Sequence, residues 1–224
     1  QVLVEVSVSG ICGSQIGEIT GTKGKDSYLP HLLGHEGCGK ILKIGPGVKT
    51  LSVGDKVVLH WRKGAGIESE TPKYVWRGKQ VNAGWVTTFN RHAVVSENRC
   101  TTVPSETDEE LAALFGCAIT TGFGVVENNA KLRMGESIVV FGAGGIGLNI
   151  IQAANLLNAF PIIAVDLYDE RLDLAKNFGA THLINSYKED FVSKIKEISP
   201  KLDIFVDNTG KKKIIEKGYK LIHQ

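Results

Sequence analysis

The chain is poor in sulfur: its 224 residues include four cysteines and one methionine. The cysteines, Cys12, Cys38, Cys100 and Cys117, are far apart and irregularly spaced. A disulfide framework is unusual in a chain of this size without a secretory signal. Reduced thiols are therefore expected, serving as metal ligands or core residues in a cytoplasmic protein. Long apolar runs are also lacking. None reaches the roughly twenty residues that a membrane helix needs. The opening Gln-Val-Leu-Val-Glu-Val has neither the basic start nor the apolar stretch of a signal peptide. It also lacks a starting Met, so the sequence reads as beginning inside a longer chain. Neither sign of charge dominates, with 26 basic against 24 acidic residues and a formal net charge of +2. That balance gives no reason to expect nucleic acid or a membrane as partner.

What is present is glycine, 26 residues of it, and two styles of patterning. Up to about residue 104 the chain reads as strands and loops. Val2, Val4, Val6 and Val8 alternate with other residues, the period of a half-buried strand. Residues 39–44, 56–59 and 85–95 are further strand candidates, with turns at Gly45-Pro46-Gly47 and Gly54-Asp55. Residues 62–82 are polar and read as a loop or lobe with little core of its own. Beyond Pro104 a helix is predicted, with Ser105 as its cap, running through Leu114. Strands at 137–141, 161–165, 182–184 and 203–206 then alternate with helices at 146–157, 169–178, 188–198 and 211–222. That order predicts an α/β, doubly wound parallel sheet.

Within this alternation, Gly142-Ala143-Gly144-Gly145-Ile146-Gly147 fits G-x-G-x-x-G. Such a match is weak alone, but this one follows a strand and opens a helix. Gly142 would allow the tight turn, Gly144 the approach of a pyrophosphate, and Gly147 close helix–strand packing. The phosphates would meet free N–H groups at the positive end of the helix. The next strand ends in Asp166, about twenty residues on, where an acid hydrogen-bonds the adenosine ribose and repels a 2′-phosphate. Leu167 follows it and brings no positive charge. NAD is the expected dinucleotide.

A second group is dispersed: Cys12 within Gly10-Ile11-Cys12-Gly13-Ser14, His35 within Gly34-His35-Glu36, and Cys117 after Gly116. Two thiolates and an imidazole suit zinc, and three protein ligands leave a fourth position open for catalysis. Taken singly, each of these residues is more simply a core thiol or a loop histidine.

Together these segments resemble the zinc signature of the medium-chain alcohol dehydrogenases, part of the medium-chain dehydrogenase/reductase superfamily. Leu33-Gly34-His35-Glu36-Gly37, Gly45-Pro46-Gly47-Val48, Val53-Gly54-Asp55-Lys56-Val57-Val58, Gly116-Cys117 and Thr120-Thr121-Gly122 extend the match along essentially the whole chain. The resemblance implies a GroES-like β-rich catalytic domain over residues 1–117. A Rossmann dinucleotide-binding domain is implied over 118–224. Both domains are expected to be incomplete, the first at its N-terminus and the second at its C-terminus. It implies a catalytic zinc on Cys12, His35 and Cys117, with Glu36 approaching from the metal's other side. Ser14 would begin a proton relay, Thr121 would lie beside the nicotinamide, and Arg171 near the adenosine ribose. The implied reaction moves a hydride between a small alcohol and NAD. Polyols or sugar-like alcohols are candidate substrates by analogy, and a homo-oligomer is a candidate assembly.

Three departures stand out. Gln15 occupies the place of an Asp that supports a metal-ligand His. Residues 61–85, where many members bind a structural zinc, contain no cysteine, so a single catalytic zinc is expected. Gly17 stands where the relay often ends in His. Rival readings are a zinc-free, NADPH-dependent quinone or enone reductase on the same fold, and an inactive truncated homologue acting as a binding module. Cys38 and Cys100 read as structural thiols, and His31 and His60 as surface or packing residues. Trp61, Trp76 and Trp85 read as packing of the lobe, or else as shaping a substrate pocket or partner surface. Asn208 and Thr209 stand at a strand end on the cofactor side.

Overall fold

The computed structural model describes residues 1–222. Its contacts divide the chain into two compact units, the first spanning Gln1–Cys117 and the second starting at Ala118.

The first unit is organised by an antiparallel sheet in the order β6-β1-β2-β3-β7. Its strands are β1 (Val2–Ser9), β2 (Glu36–Ile44), β3 (Lys56–His60), β6 (His92–Val95) and β7 (Cys100–Thr102). The alternation at the start of β1 turns Val2 and Val4 inward, where Ile41, Val57, Leu59, Ala93 and Val95 complete a core. A short helix, α2 (Glu109–Leu114), packs Ala112 and Ala113 on Cys38 and Val58, from β2 and β3.

Local chemistry explains several differences from the sequence reading. The cap of α2 is Asp108, whose carboxylate accepts the Leu111 N–H at 2.8 Å. Ser105 instead donates its hydroxyl hydrogen to Glu106. Residues 62–82 include a two-stranded hairpin, β4 (Lys73–Trp76) with β5 (Lys79–Asn82), turning through Arg77 and Gly78. Of residues 85–95 only the last four form a strand. A further helix, α1 (Gly13–Ile19), was not expected, because its two glycines and missing side-chain cap hide it.

The second unit carries a parallel sheet in the order β10-β9-β8-β11. Its strands are β8 (Ile138–Phe141), β9 (Ile162–Asp166), β10 (His182–Asn185) and β11 (Ile204–Asp207). Alternate residues of the apolar strands face opposite sides. Ile138, Val140, Ile162 and Ala164 pack with α4 (Gly145–Leu156) and α5 (Asp169–Asn177). Val139, Phe141, Ile163 and Val165 pack with α6 (Phe191–Ile198) and α7 (Lys212–Ile222). Continuous apolar strands covered on both faces are what a doubly wound sheet requires. Helix α6 starts at Phe191 rather than near Lys188, because Asp190 caps it by accepting from Ser193. Before the sheet, α3 (Ala118–Gly124) runs into a π-helical turn at Val125–Ala130. That turn ends at Lys131, which has left-handed φ of 52°.

Candidate metal centre and dinucleotide loop

Strand register in the first unit brings two distant segments together. Ser9 at the end of β1 lies opposite Gly37 in β2, and the Gly10 N–H donates to the Glu36 carbonyl at 3.0 Å. The chain leaving β1 therefore passes beside the chain entering β2. Cys12, the residue before α1, and His35, the residue before β2, sit at that crossing. The third segment leaves the C-terminal end of α2 through a chain of tight turns to Cys117. A Cβ on Gly116 would lie 2.5 Å from the Leu59 carbonyl and 2.8 Å from the Glu36 Cα. Only glycine lets this segment lie so close to β2 and β3.

The outcome is one metal-type cluster among the described residues: ligand atoms of Cys12, His35 and Cys117 lie within 4.8 Å of one another. A tetrahedral zinc with bonds of about 2.0–2.3 Å spaces its ligands at roughly 3.5 Å, so the three donors fit that ion. Cys117 is buried, while Cys12 and His35 are half-buried. Burial pushes the His35 imidazole below its usual pKa; Glu18 opposes that shift and Lys23 reinforces it. The neutral ring is the form that binds metal. Glu36 is 3% exposed but stands outside the cluster of three. Its carboxyl group lies under Gly10, where a Cβ would meet its Cδ at 2.8 Å.

Two neighbours of Cys12 carry buried polar atoms. The Ser14 hydroxyl oxygen is fully buried with no hydrogen-bond partner. Gln15 is 3% exposed, and its Nε2 lies 2.6 Å from His35 Nδ1. Its Oε1 is buried without a partner.

His31 and His60 have duties elsewhere. His31 lies 2.7 Å from Asp26 and donates from Nδ1 to the Leu32 carbonyl, and that carbonyl followed by Asp26 helps raise its pKa. His60, lowered by burial, donates from Nδ1 to the Arg62 carbonyl, and Nε2 accepts from Thr101. Cys38 and Cys100 are core residues, and burial pushes the Cys100 thiol up to about 12.

The lobe is fastened by a feature that pattern reading passed over. Glu97 is 1% exposed, and its carboxylate accepts the N–H groups of Ile67, Thr50 and Lys49 and the Thr50 hydroxyl. The Ile67 N–H comes first among the causes that hold its pKa down to about 2. Arg99, also buried, donates to the Trp61 carbonyl, pairs with Glu68 and lies over the Trp85 ring. Trp61, Trp76 and Trp85 are each about half exposed or more, so none is core packing of the lobe. The signal in sequence was slight: two charged residues beside a strand, whose partners lie about 30 to 50 residues away.

In the second unit the glycine loop joins β8 to α4. Gly142 has φ of +87°, in the left-handed region that glycine adopts at no steric cost. A Cβ on Gly147 would fall 1.9 Å from the Gly142 carbonyl, whereas one on Gly144 meets nothing within 4 Å. The loop is thus closed on its protein side and open at Gly144, where a phosphate could approach. Gly145 and Ile146 open α4, whose first-turn N–H groups point out of the helix start. Ala143 donates its N–H to Asp166 Oδ2 at 2.7 Å. Asp166 Oδ1 accepts from Leu167 and Tyr168, and Arg171 lies 3.7 Å from Oδ2 with its guanidinium over the Tyr168 ring. The carboxylate is fixed by backbone donors, and the contact with the half-exposed Arg171 is the longest of these. Asn208 and Thr209 flank Gly142, their side chains 3.3–3.5 Å from where its Cβ would be. Thr121 lies on α3.

An alcohol dehydrogenase GroES-like domain model matches residues 1–105, and a zinc-binding dehydrogenase model matches residues 145–224. The chain belongs to the medium-chain dehydrogenase/reductase superfamily, among its zinc-type alcohol dehydrogenases. It is 30% identical over 235 residues to an S-(hydroxymethyl)glutathione dehydrogenase of Synechocystis sp., covering 94% of this chain and 61% of that protein. An alcohol dehydrogenase zinc-binding domain protein from Burkholderia ambifaria matches with a TM-score of 0.89 and 33% identity, over 99% of this chain and 66% of the other. Benzyl alcohol dehydrogenase from Acinetobacter calcoaceticus gives 0.85 and 34%, over the same shares. The chain spans about three fifths of the length of the curated relatives it matches. Among the described residues, no helix is long and apolar enough to cross a membrane.

Proposed function

We propose that this chain provides the metal centre and dinucleotide loop of an NAD-dependent alcohol dehydrogenase with one catalytic zinc. The observation that carries the reading is the convergence of Cys12, His35 and Cys117, from three distant segments, on one point. When bound, zinc supplies Lewis acidity toward the alcohol oxygen, and NAD supplies the hydride acceptor. The chain's own residues hold and orient. Cys12, His35 and Cys117 are the zinc ligands, and Glu36 waits beside them under Gly10. Ser14, with its buried and unpartnered oxygen, accepts the hydroxyl proton of the substrate by hydrogen bond. Gly17 has no side chain to continue a relay from Ser14.

In the loop, Gly144 leaves room for the pyrophosphate at the start of α4, and the cradle is Gly142-Ala143-Gly144-Gly145-Ile146-Gly147. Asp166 would accept from the adenosine ribose hydroxyls, and Arg171, 3.7 Å from Asp166 Oδ2, would lie near that ribose. A carboxylate here repels a 2′-phosphate, which favours NAD over NADP. Thr121, on α3, would lie beside the nicotinamide. The substrate class is a small alcohol; aromatic, glutathione-bearing and polyol alcohols are the panel to try. The test is metal content of the purified chain together with NAD reduction across that panel. Absence of zinc, or full activity in a Cys12→Ala, Cys117→Ala variant, would overturn the reading. A melting temperature unmoved by NAD would favour a binding module without catalysis.

A further inference from the structure

The side chain of Gln15 touches His35, and its chemistry does not suit a bound metal in the orientation seen. Its amide Nε2 can only donate, so His35 Nδ1, 2.6 Å away, must be accepting. A neutral imidazole that accepts at Nδ1 carries its proton on Nε2. With Nδ1 occupied and Nε2 protonated, the ring has no lone pair for a metal. This orientation of the amide suits the ring only when it ligates no metal. To ligate through Nε2, the ring must move its proton to Nδ1, which then requires an acceptor. The amide already holds that acceptor: Oε1 is buried and has no partner. A half-turn of the carboxamide exchanges Nε2 for Oε1 at the ring and requires no backbone movement.

We infer that Gln15 is a two-way positioning residue for His35, its amide donating to the metal-free ring and turning over to accept from Nδ1–H when zinc binds. This inference rests on the zinc reading above. A carboxylate in this place could only accept, and would hold the ring in the metal-binding tautomer. An amide serves either tautomer with one hydrogen bond, and each orientation leaves one buried polar group unpaired. Neither state is strongly favoured by the support, and no charge on Gln15 strengthens the metal-bound one. A zinc held there would therefore be exchangeable, because either state of the ring keeps its hydrogen bond to Gln15. Outer partners of ligand histidines typically change metal affinity by about 10–100-fold.

The experiment uses the full chain, stripped with a chelator and titrated with zinc against a chromogenic competitor. The Gln15→Asp variant should bind zinc about 10–100-fold more tightly than wild type, and Gln15→Leu more weakly. Imidazole ¹⁵N–¹H correlation spectra should put the His35 proton on Nε2 without metal and on Nδ1 with zinc. The spectra test the inference on unmutated protein, whatever the Leu variant does to folding. Equal zinc affinity in wild type and Gln15→Asp, or one tautomer throughout, would overturn the inference and leave the zinc reading standing. Failure of wild type to bind zinc at all would overturn both.

Discussion

The metal cluster and the glycine loop are built by opposite means. The loop is six consecutive residues, and each glycine's task is set by its neighbours along the chain. The cluster takes Cys12, His35 and Cys117 from three segments, and strand register, a helix end and a bare Gly116 bring them together. The loop is therefore a local device that a point substitution can damage cleanly. The cluster is a property of the whole first unit.

The largest effect should come from the cluster. Cys12→Ala or Cys117→Ala should remove bound zinc and lower alcohol oxidation by about three orders of magnitude, with metal analysis and steady-state rates as the check. The loop comes next, and two of its glycines should separate. Gly147→Ala drives a Cβ into the Gly142 carbonyl and should destabilise the second unit by about 3 kcal/mol. Gly144→Ala meets open space and should leave stability within about 0.5 kcal/mol, yet weaken NAD roughly tenfold. Chemical denaturation and NAD titration would distinguish them; equal loss of stability in both would deny that Gly144 is kept bare for a ligand.

A smaller effect is expected at the lobe. Glu97 has its pKa depressed to about 2, so its contribution is fully present above its unfolded value of about 4.3 and is lost as pH falls toward 2. Melting temperature should drop through that acid window in wild type and much less in Glu97→Gln, which should also be less stable near neutrality by about 2 kcal/mol. The smallest effect belongs to Arg171→Ala, which removes an exposed and long contact with Asp166. It should alter NAD affinity only about two- to threefold and leave folding unchanged.

The same contrast governs what could be read in advance. The β8–loop–α4 segment was legible because strand, turn and helix signals are contiguous and each agrees with the next. The cluster was legible only through a family's order of motifs, since nothing between Cys12 and Cys117 reveals the β1–β2 register. Helix α1 was hidden by Gly13 and Gly17, which argue against a helix when no packing is known. The hairpin of β4 and β5 was hidden because its residues are polar and mostly exposed, without an apolar stripe to betray them. At α2, Ser105 and Asp108 are both acceptable caps by type, and only the hydrogen bond to Leu111 chooses between them. The grip of Glu97 on residues 49, 50 and 67 spans loops whose closeness no local pattern records.

That grip has a practical meaning for how the protein wears. Residues 61–85 are held by a carboxylate and a guanidinium rather than by sulfur. Mercurials find no thiol there to attack, and Cys38 and Cys100 are sealed in the core. If the cluster holds zinc, a chelator would reach Cys12, His35 and Cys117 and leave the lobe's ties alone, whereas an oxidant also meets the exposed Met134. Loss of the ion alone would then be reversible inactivation rather than collapse of the lobe.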